Sequence, residues 1–322
     1  MTDDPRADSG SAPGESEEEE GPAARGATVA RFFVLPLLVV GTALVIFFVF
    51  NLMTFERRSP ADELAEVRGG TANRRWQAAF ELSRTIGHMA PGPERDALSA
   101  ETRRVFDGLS GKRADDVKVR RYLVLVLGKL QDRAALPQLL TAARDDDPET
   151  RLYAIWGLGM LGDRRAVDPV IESSSSEDAG ARKMAAYVLG KLGDPRAALR
   201  LRVLLGDPVA DVRWNAAIAL ALLHDGSGLE VLRGMIDRGA LSRQANLSTE
   251  QAETAMVSAL QALAVLRDPG SLALIDRVAR EDPNLRVREA ARRAADATRG
   301  VPAGSPAKTS RILERRAALL VV

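Results

Sequence analysis

Cysteine is absent from all 322 residues. That removes disulfides, thiolate metal sites and cysteine nucleophiles together. Aromatic residues are scarce at 4%, so Ala and Leu carry the apolar load, a composition better suited to closely packed helices than to sheets. Only two histidines occur, His88 and His224. They fall at turn positions far apart in the chain, with no metal-ligand partner at helical spacing, so neither a metal nor a cofactor is expected. An excess of one charge is missing too: 45 basic residues face 44 acidic ones, and over residues 59–299 the balance is 36 to 34. A dedicated nucleic-acid binder usually shows a strong basic surplus, so no nucleic acid is expected as a partner. No G-x-G-x-x-G or Walker pattern is present to cradle a phosphate.

Long apolar runs are missing with one exception. Phe32 to Met53 is 22 residues without a charge. As a helix it would extend about 33 Å at ~1.5 Å per residue, enough for a hydrocarbon core of about 30 Å. The run starts too late and is too long for a cleaved leader, and no A-x-A-like site follows. A single transmembrane helix is therefore expected over residues 31–55, with an acidic, disordered tail at 1–30 that contains Glu17 to Glu20. Arg25 and Arg31 precede the span, while Arg57, Arg58, Arg68, Arg74 and Arg75 follow it. The positive-inside rule then places the remainder of a single-pass protein in the cytoplasm. Ser59-Pro60-Ala61-Asp62 reads as a helix start, so the folded domain begins almost at the membrane surface.

What is abundant is repetition. Val119-Arg120, Thr150-Arg151, Ala181-Arg182 and Val212-Arg213 recur at a spacing of 31. Each copy carries Leu at the same place (Leu127, Leu158, Leu189, Leu220) and then an Asp (Asp132, Asp163, Asp194, Asp225). Within Arg151 to Leu161, the stripe Ala154, Ile155, Leu158, Leu161 describes a first helix. Gly162-Asp163 ends that helix and caps the next, whose inner face is Ala166, Val167 and Val170. Such a hairpin cannot bury its face alone, and stacked neighbours complete the core. Small residues in register (Gly128, Gly159, Gly190, Ala221, Ala264) allow close helix approach. The Arg column (Arg120, Arg151, Arg182, Arg213, Arg288) and the Asp column (ending at Asp268) are expected to cap and pair along the stack. Ser173 to Asp178 reads as a polar loop. Trp76 and Trp214 share one repeat position, and with Trp156 they read as core residues.

The unit Arg-x-x-Ala-x-x-x-Leu-Gly-x-Leu-Gly-Asp-x-Arg-Ala at Arg151 to Ala166 and Arg182 to Ala197 resembles the HEAT-like repeats first named for phycobilisome lyases. The resemblance covers roughly residues 60–299. It implies an all-α fold, a right-handed α-solenoid of HEAT-like helical hairpins, preceded here by one transmembrane helix. The family includes scaffolds, adaptors and a few enzymes. The His-Glu pairs of the HEAT-repeat deoxyhypusine hydroxylases are absent.

The domain plan is therefore 1–30 tail, 31–55 span, 59–299 solenoid and 300–322 C-terminal tail. The period breaks at residues 239–247, an inserted loop whose polar members Arg243, Gln244 and Asn246 are the candidate partner-binding residues, since solenoid insertions gather on one face. Ser248-x-x-Gln251 then opens a longer helix. The expected function is a membrane-anchored scaffold or adaptor that binds a protein partner, not an enzyme. A bilin-lyase-like enzyme, or a maturation factor for a membrane complex, is the alternative that the resemblance implies.

Overall fold

The computed structural model describes residues 34–54, 59–109, 111, 113, 115–243 and 247–301. The expected tails at 1–30 and beyond Val301 lie outside the described residues. The chain divides into two compact units at Arg58 and Ser59.

The first unit contains helix α1, Leu35–Thr54. Its large apolar side chains stand open to solvent, from 47% at Val49 to 75% at Leu37. Among the described residues no helix is long and apolar enough to cross a membrane. The expected span over Phe32 to Met53 lies partly outside the described residues, and no transmembrane helix is shown.

The regular elements of the second unit, among its described residues, are all helices. It opens with α2 (Pro60–Gly69), α3 (Ala72–Thr85) and α4 (Pro93–Asp107). Regular hairpins follow: α5 (Asp116–Leu130) with α6 (Leu136–Ala142), α7 (Pro148–Leu161) with α8 (Val167–Ser173), α9 (Ala179–Leu192) with α10 (Ala198–Leu204), and α11 (Ala210–Leu222) with α12 (Leu229–Met235). A short helix α13 (Arg238–Ser242) precedes α14 (Thr249–Leu266), α15 (Leu272–Glu281) and α16 (Leu285–Arg299). Each first helix packs on the next, in the order α3, α5, α7, α9, α11, α14, α16.

Local chemistry sets the hairpins. Ser59 and Asp62 form the expected capping box at the start of α2, with Pro60 at its first position, and Ser248 with Gln251 does the same for α14. Both satisfy donors that the first turn of a helix leaves open. The helices α7 and α9 end on Gly162 (φ 66°) and Gly193 (φ 63°), the left-handed conformation that glycine adopts without a Cβ clash. In other copies Gln131, His224 and Arg267 take that conformation. The column Asp132, Asp163, Asp194, Asp225 and Asp268 accepts the backbone N–H two residues on. It thereby caps a short 3-10 turn that leads into each second helix, rather than that helix itself.

Leu127, Leu158, Leu189 and Leu220 are fully buried, each such side chain contributing roughly 1.5–3 kcal/mol of transfer free energy. The small-residue column sets the spacing between first helices. A Cβ on Gly128 would lie 2.8 Å from the Cα of Gly157, and one on Gly190 would lie 2.8 Å from the Cα of Ala219. Backbone therefore meets backbone there, and no side chain fits between.

Candidate functional site

Most of the charged residues in the repeat columns hold the stack together. Arg151, Arg182, Arg213 and Arg288 each donate to the two carbonyls five and six residues before them, in the loop that opens their own helix. Arg120 and Arg182 also reach a carboxylate of the next loop, Asp145 and Asp207, at 2.6 and 2.7 Å. In the capping Asp column, Asp225 and Asp268 pair with Arg202 and Arg233 of second helices, at 2.5 and 2.6 Å, while Asp163 and Asp194 pair with Arg165 and Arg196 of their own turns. Neighbouring repeats are thus joined by Arg–Asp pairs, but mostly not by those two columns to each other. Arg165, through its side chain and its own N–H, holds the Asp163 carboxyl down at about 2. The hydrogen bond from Arg182 likewise holds Asp207 below the usual carboxylate range.

Two expected loops are more firmly built than their sequences imply. In the serine run, Ser174 is fully buried, and Arg200 of α10 donates to its hydroxyl at 2.7 Å and to its carbonyl at 2.8 Å. The insertion expected as a loop over 239–247 begins instead as helix α13. Leu241 is buried in the core, and Arg238 bridges to Asp282 at 2.8 Å and to Glu253 at 3.4 Å. Arg243 is exposed where α13 ends. Gln244 and Asn246 lie outside the described residues. His224 is exposed, and among the described residues no group of three or more acidic or histidine side chains is placed to hold a metal. A cavity of about 420 Å³ lies between α2 and α4, floored by Leu64, Met89 and Leu98.

The surface that stands out is the solvent side of the first helices. Residues 59–301 contain eight aromatic residues. Phe106 and Trp214 are buried. The other six (Trp76, Phe80, Tyr122, Tyr153, Trp156, Tyr187) are half-buried, and all six lie on the first helices α3, α5, α7 and α9 within one face. Trp156 does not belong to the buried stripe. Ala154, Ile155 and Leu158 point inward, and at about 100° per residue position 156 turns toward solvent. Its ring lies across the neighbouring helix, 3.0 Å from where a Cβ of Gly128 would be.

One row of this face is regular. Leu125, Trp156, Tyr187 and Ile218 follow at the 31-residue spacing, and all are half-buried. Cations border it. Lys118 sits 5.1 Å over the Trp76 ring, and Arg84 sits 5.7 Å over Phe80, whose own ring meets Tyr122 edge-on at 5.2 Å. Lys129 donates to the Ser83 carbonyl, and burial lowers its pKa. The row was legible as a recurring large apolar residue between two inward positions, but core-type residue identity hid it.

A family model for HEAT repeats matches residues 108–183 and 169–250. The second unit is an all-α stack of helical hairpins, and its central part matches HEAT repeats. Among solved structures, the chain is similar to the complex of CpcE and CpcF of phycocyanin lyase from Nostoc sp. PCC7120, at 18% identity and a TM-score of 0.53, over 83% of this chain and 97% of that one. At this identity the likeness is one of fold. An engineered protein aligns at 14% identity, over 76% of this chain and 98% of its own, with a TM-score of 0.42. Human deoxyhypusine hydroxylase aligns at 19%, over 75% and 96%, with a TM-score of 0.28. No curated protein matches the chain.

Proposed function

We propose that this chain is a scaffold or adaptor whose HEAT-repeat unit binds a protein partner. The observation that carries the reading is the half-buried aromatic face of the first helices. A stack needs apolar residues on its inward faces, yet six of eight aromatics stand at the edge of the core and remain partly open to solvent. Tyr and Trp are enriched where protein surfaces bind one another, because they bring large contact area at little entropic cost. Arg243, with Gln244 and Asn246, forms a second contact beside the insertion. Helix α1 anchors the chain in a membrane as a single-pass protein with the repeats on the cytoplasmic side. Its support is a helix of twenty residues whose large apolar side chains from Leu37 to Phe50 are exposed.

The test is a crosslinked pull-down of tagged full-length protein from native membranes, alongside Arg243→Ala/Gln244→Ala/Asn246→Ala. One abundant partner, reduced in the triple variant, is the expected result. Absence of any specific partner would remove the scaffold reading. Carbonate extraction checks the anchor, since release of the chain into the supernatant would exclude a spanning helix.

The fold likeness to the lyase complex favours a second reading, an enzyme or maturation factor of bilin-lyase type. Chromophore absorbance on the protein or its partner after co-expression with a bilin would support it.

A further inference from the structure

We propose that the aromatic face docks an acidic amphipathic helix of the partner, laid across the first helices with one apolar residue at every seventh position. The inference rests on the scaffold reading and adds the chemistry of the partner to it.

The first argument is spacing. Packed helices lie about 8–10 Å apart, so the row Leu125, Trp156, Tyr187, Ile218 presents one large apolar side chain at each such step across α5, α7, α9 and α11. An α-helix advances ~10.5 Å in seven residues. A crossing helix with a heptad of apolar residues therefore advances to within about 0.5–2.5 Å of each step of the row. Glycines lie at each of these joints, Gly128 against the Gly157 backbone, Gly159 against the Val188 side chain and Gly190 against Ala219, and allow the first helices to approach closely.

The second argument is charge. The face carries the cations Arg84, Lys118, Arg121, Lys129, Lys183 and Lys191 against the carboxylates Glu81, Glu149 and Asp211. Each carboxylate is close to a cation of the same face: Glu81 to Arg84, Glu149 to Arg121, Asp211 to Lys183. The surplus of three positive charges exceeds that of the whole repeat region, where 36 basic residues face 34 acidic ones. Four of the chain's six lysines lie here, although arginine is the usual cation elsewhere in the repeats. Lys118 rests on an aromatic ring and Lys129 on a carbonyl, neither of which neutralises it, and burial already disfavours the charged form of Lys129. An approaching carboxylate would relieve that cost. A nucleic-acid strand fits less well, since it needs a continuous cationic track for its phosphates. Here the central row is apolar and Glu149 and Asp211 interrupt the border.

The experiment uses the full-length protein in lipid nanodiscs and a fluorescein-labelled helical peptide of about 28 residues, four heptads, with Leu at every seventh position and Glu beside it. Controls are the same peptide with Lys for Glu, a scrambled acidic peptide and an oligothymidine. Binding is read by anisotropy. The acidic heptad peptide is expected to bind at least about tenfold tighter than every control, and to weaken as salt rises from about 50 to about 500 mM. Trp156→Ala/Tyr187→Ala should reduce binding at least about tenfold. Lys118→Gln/Lys191→Gln, which leaves the apolar row untouched, should reduce it at low salt only, with melting curves confirming that both variants fold. Binding no tighter than the controls, or unchanged in both variants, overturns the proposal, and preference for oligothymidine replaces it with a nucleic-acid face. In a parallel pull-down, a partner kept by both variants would leave the scaffold reading standing without this face. No partner for the unaltered protein would remove that reading itself.

Discussion

Between Asp116 and Met235 the repeats follow one another without a gap, and their joints are made of very little. At two of them a glycine meets its neighbour's backbone, and at one Arg182 spans from its own loop to Asp207 in the next. At the N-terminal end the spacing is lost, and the joint has another chemistry. Arg75, in the position of the Arg column, is buried with 4% exposure. It donates to Asp115 at 2.6 Å, to Asp116 at 3.1 Å and to the Val67 carbonyl at 2.9 Å. Where the repeat geometry holds, close helix packing and partly exposed Arg–Asp pairs join the copies. Where extra residues between α3 and α5 break the period, a buried ion cluster holds the first copy to the second. Buried ion clusters are costly to desolvate and costly to break, so the two kinds of joint should fail differently.

The largest effect is expected at the irregular end. Arg75→Ala leaves two buried carboxylates without their cation and should destabilise by about 3–5 kcal/mol. Proteolysis should then begin near residues 60–115, while the central repeats resist. Uniform loss of protection along the chain would show that the first copy is not a separate weak joint.

Next comes the regular joint. Gly128→Val places branched carbon against the Gly157 backbone and the Trp156 ring, and should cost about 1–3 kcal/mol or more by overpacking. Gly162→Ala, at a helix end where no atom lies near, should cost about 1 kcal/mol through its left-handed backbone alone. Equal losses in thermal melts would contradict the close approach.

A finer test compares two members of one column. Arg151 and Arg182 make the same pair of carbonyl bonds, but only Arg182 also holds a carboxylate, Asp207, that is mostly buried. Arg182→Ala should cost about 1.5–3 kcal/mol and Arg151→Ala about 1 kcal/mol. Similar losses from both would assign the stabilisation to the carbonyl bonds.

The smallest effect is the response to acid. The folded pKa values of Asp163, Asp207, Asp225 and Asp268 are depressed. A carboxylate with a depressed folded pKa stabilises the fold above its unfolded pKa, and that contribution is lost as pH falls through the folded value. For Asp163 the window runs from 3.8 down to about 2. Unfolding monitored by circular dichroism should show stability flat between about pH 5 and 7 and falling below about 4. Asp163→Asn should reduce the fall.

Much of the fold could be read in advance, for a physical reason. Caps, left-handed helix ends and inward stripes are set by residues within a few positions of each other, and repetition displays them again in each copy. Ser59 with Asp62, Ser248 with Gln251, and Gly162 at its helix end act as their sequences imply, while Asp163 caps the 3-10 turn before the second helix and not that helix. The candidate site was less legible. Arg243 is exposed as expected, but the insertion around it is partly the helix α13, pinned by Leu241 and Arg238. The aromatic face passed for core because Trp and Tyr are core-type residues, and only their phase on the helix distinguishes the two.

Trp76 and Trp214 show where sequence stops. They occupy one repeat position, and the sequence alone determined that both lie on a first helix at the same angle. What tertiary structure decided is their surroundings. Trp214 shares an apolar cluster with Leu241 of the insertion and Met256 of α14, and its exposure falls to 9%. Trp76 has Lys118 across its ring at 5.1 Å and remains half-buried. Burial is a property of what the neighbouring element brings, and the period of a repeat determines where a side chain points without determining what will cover it.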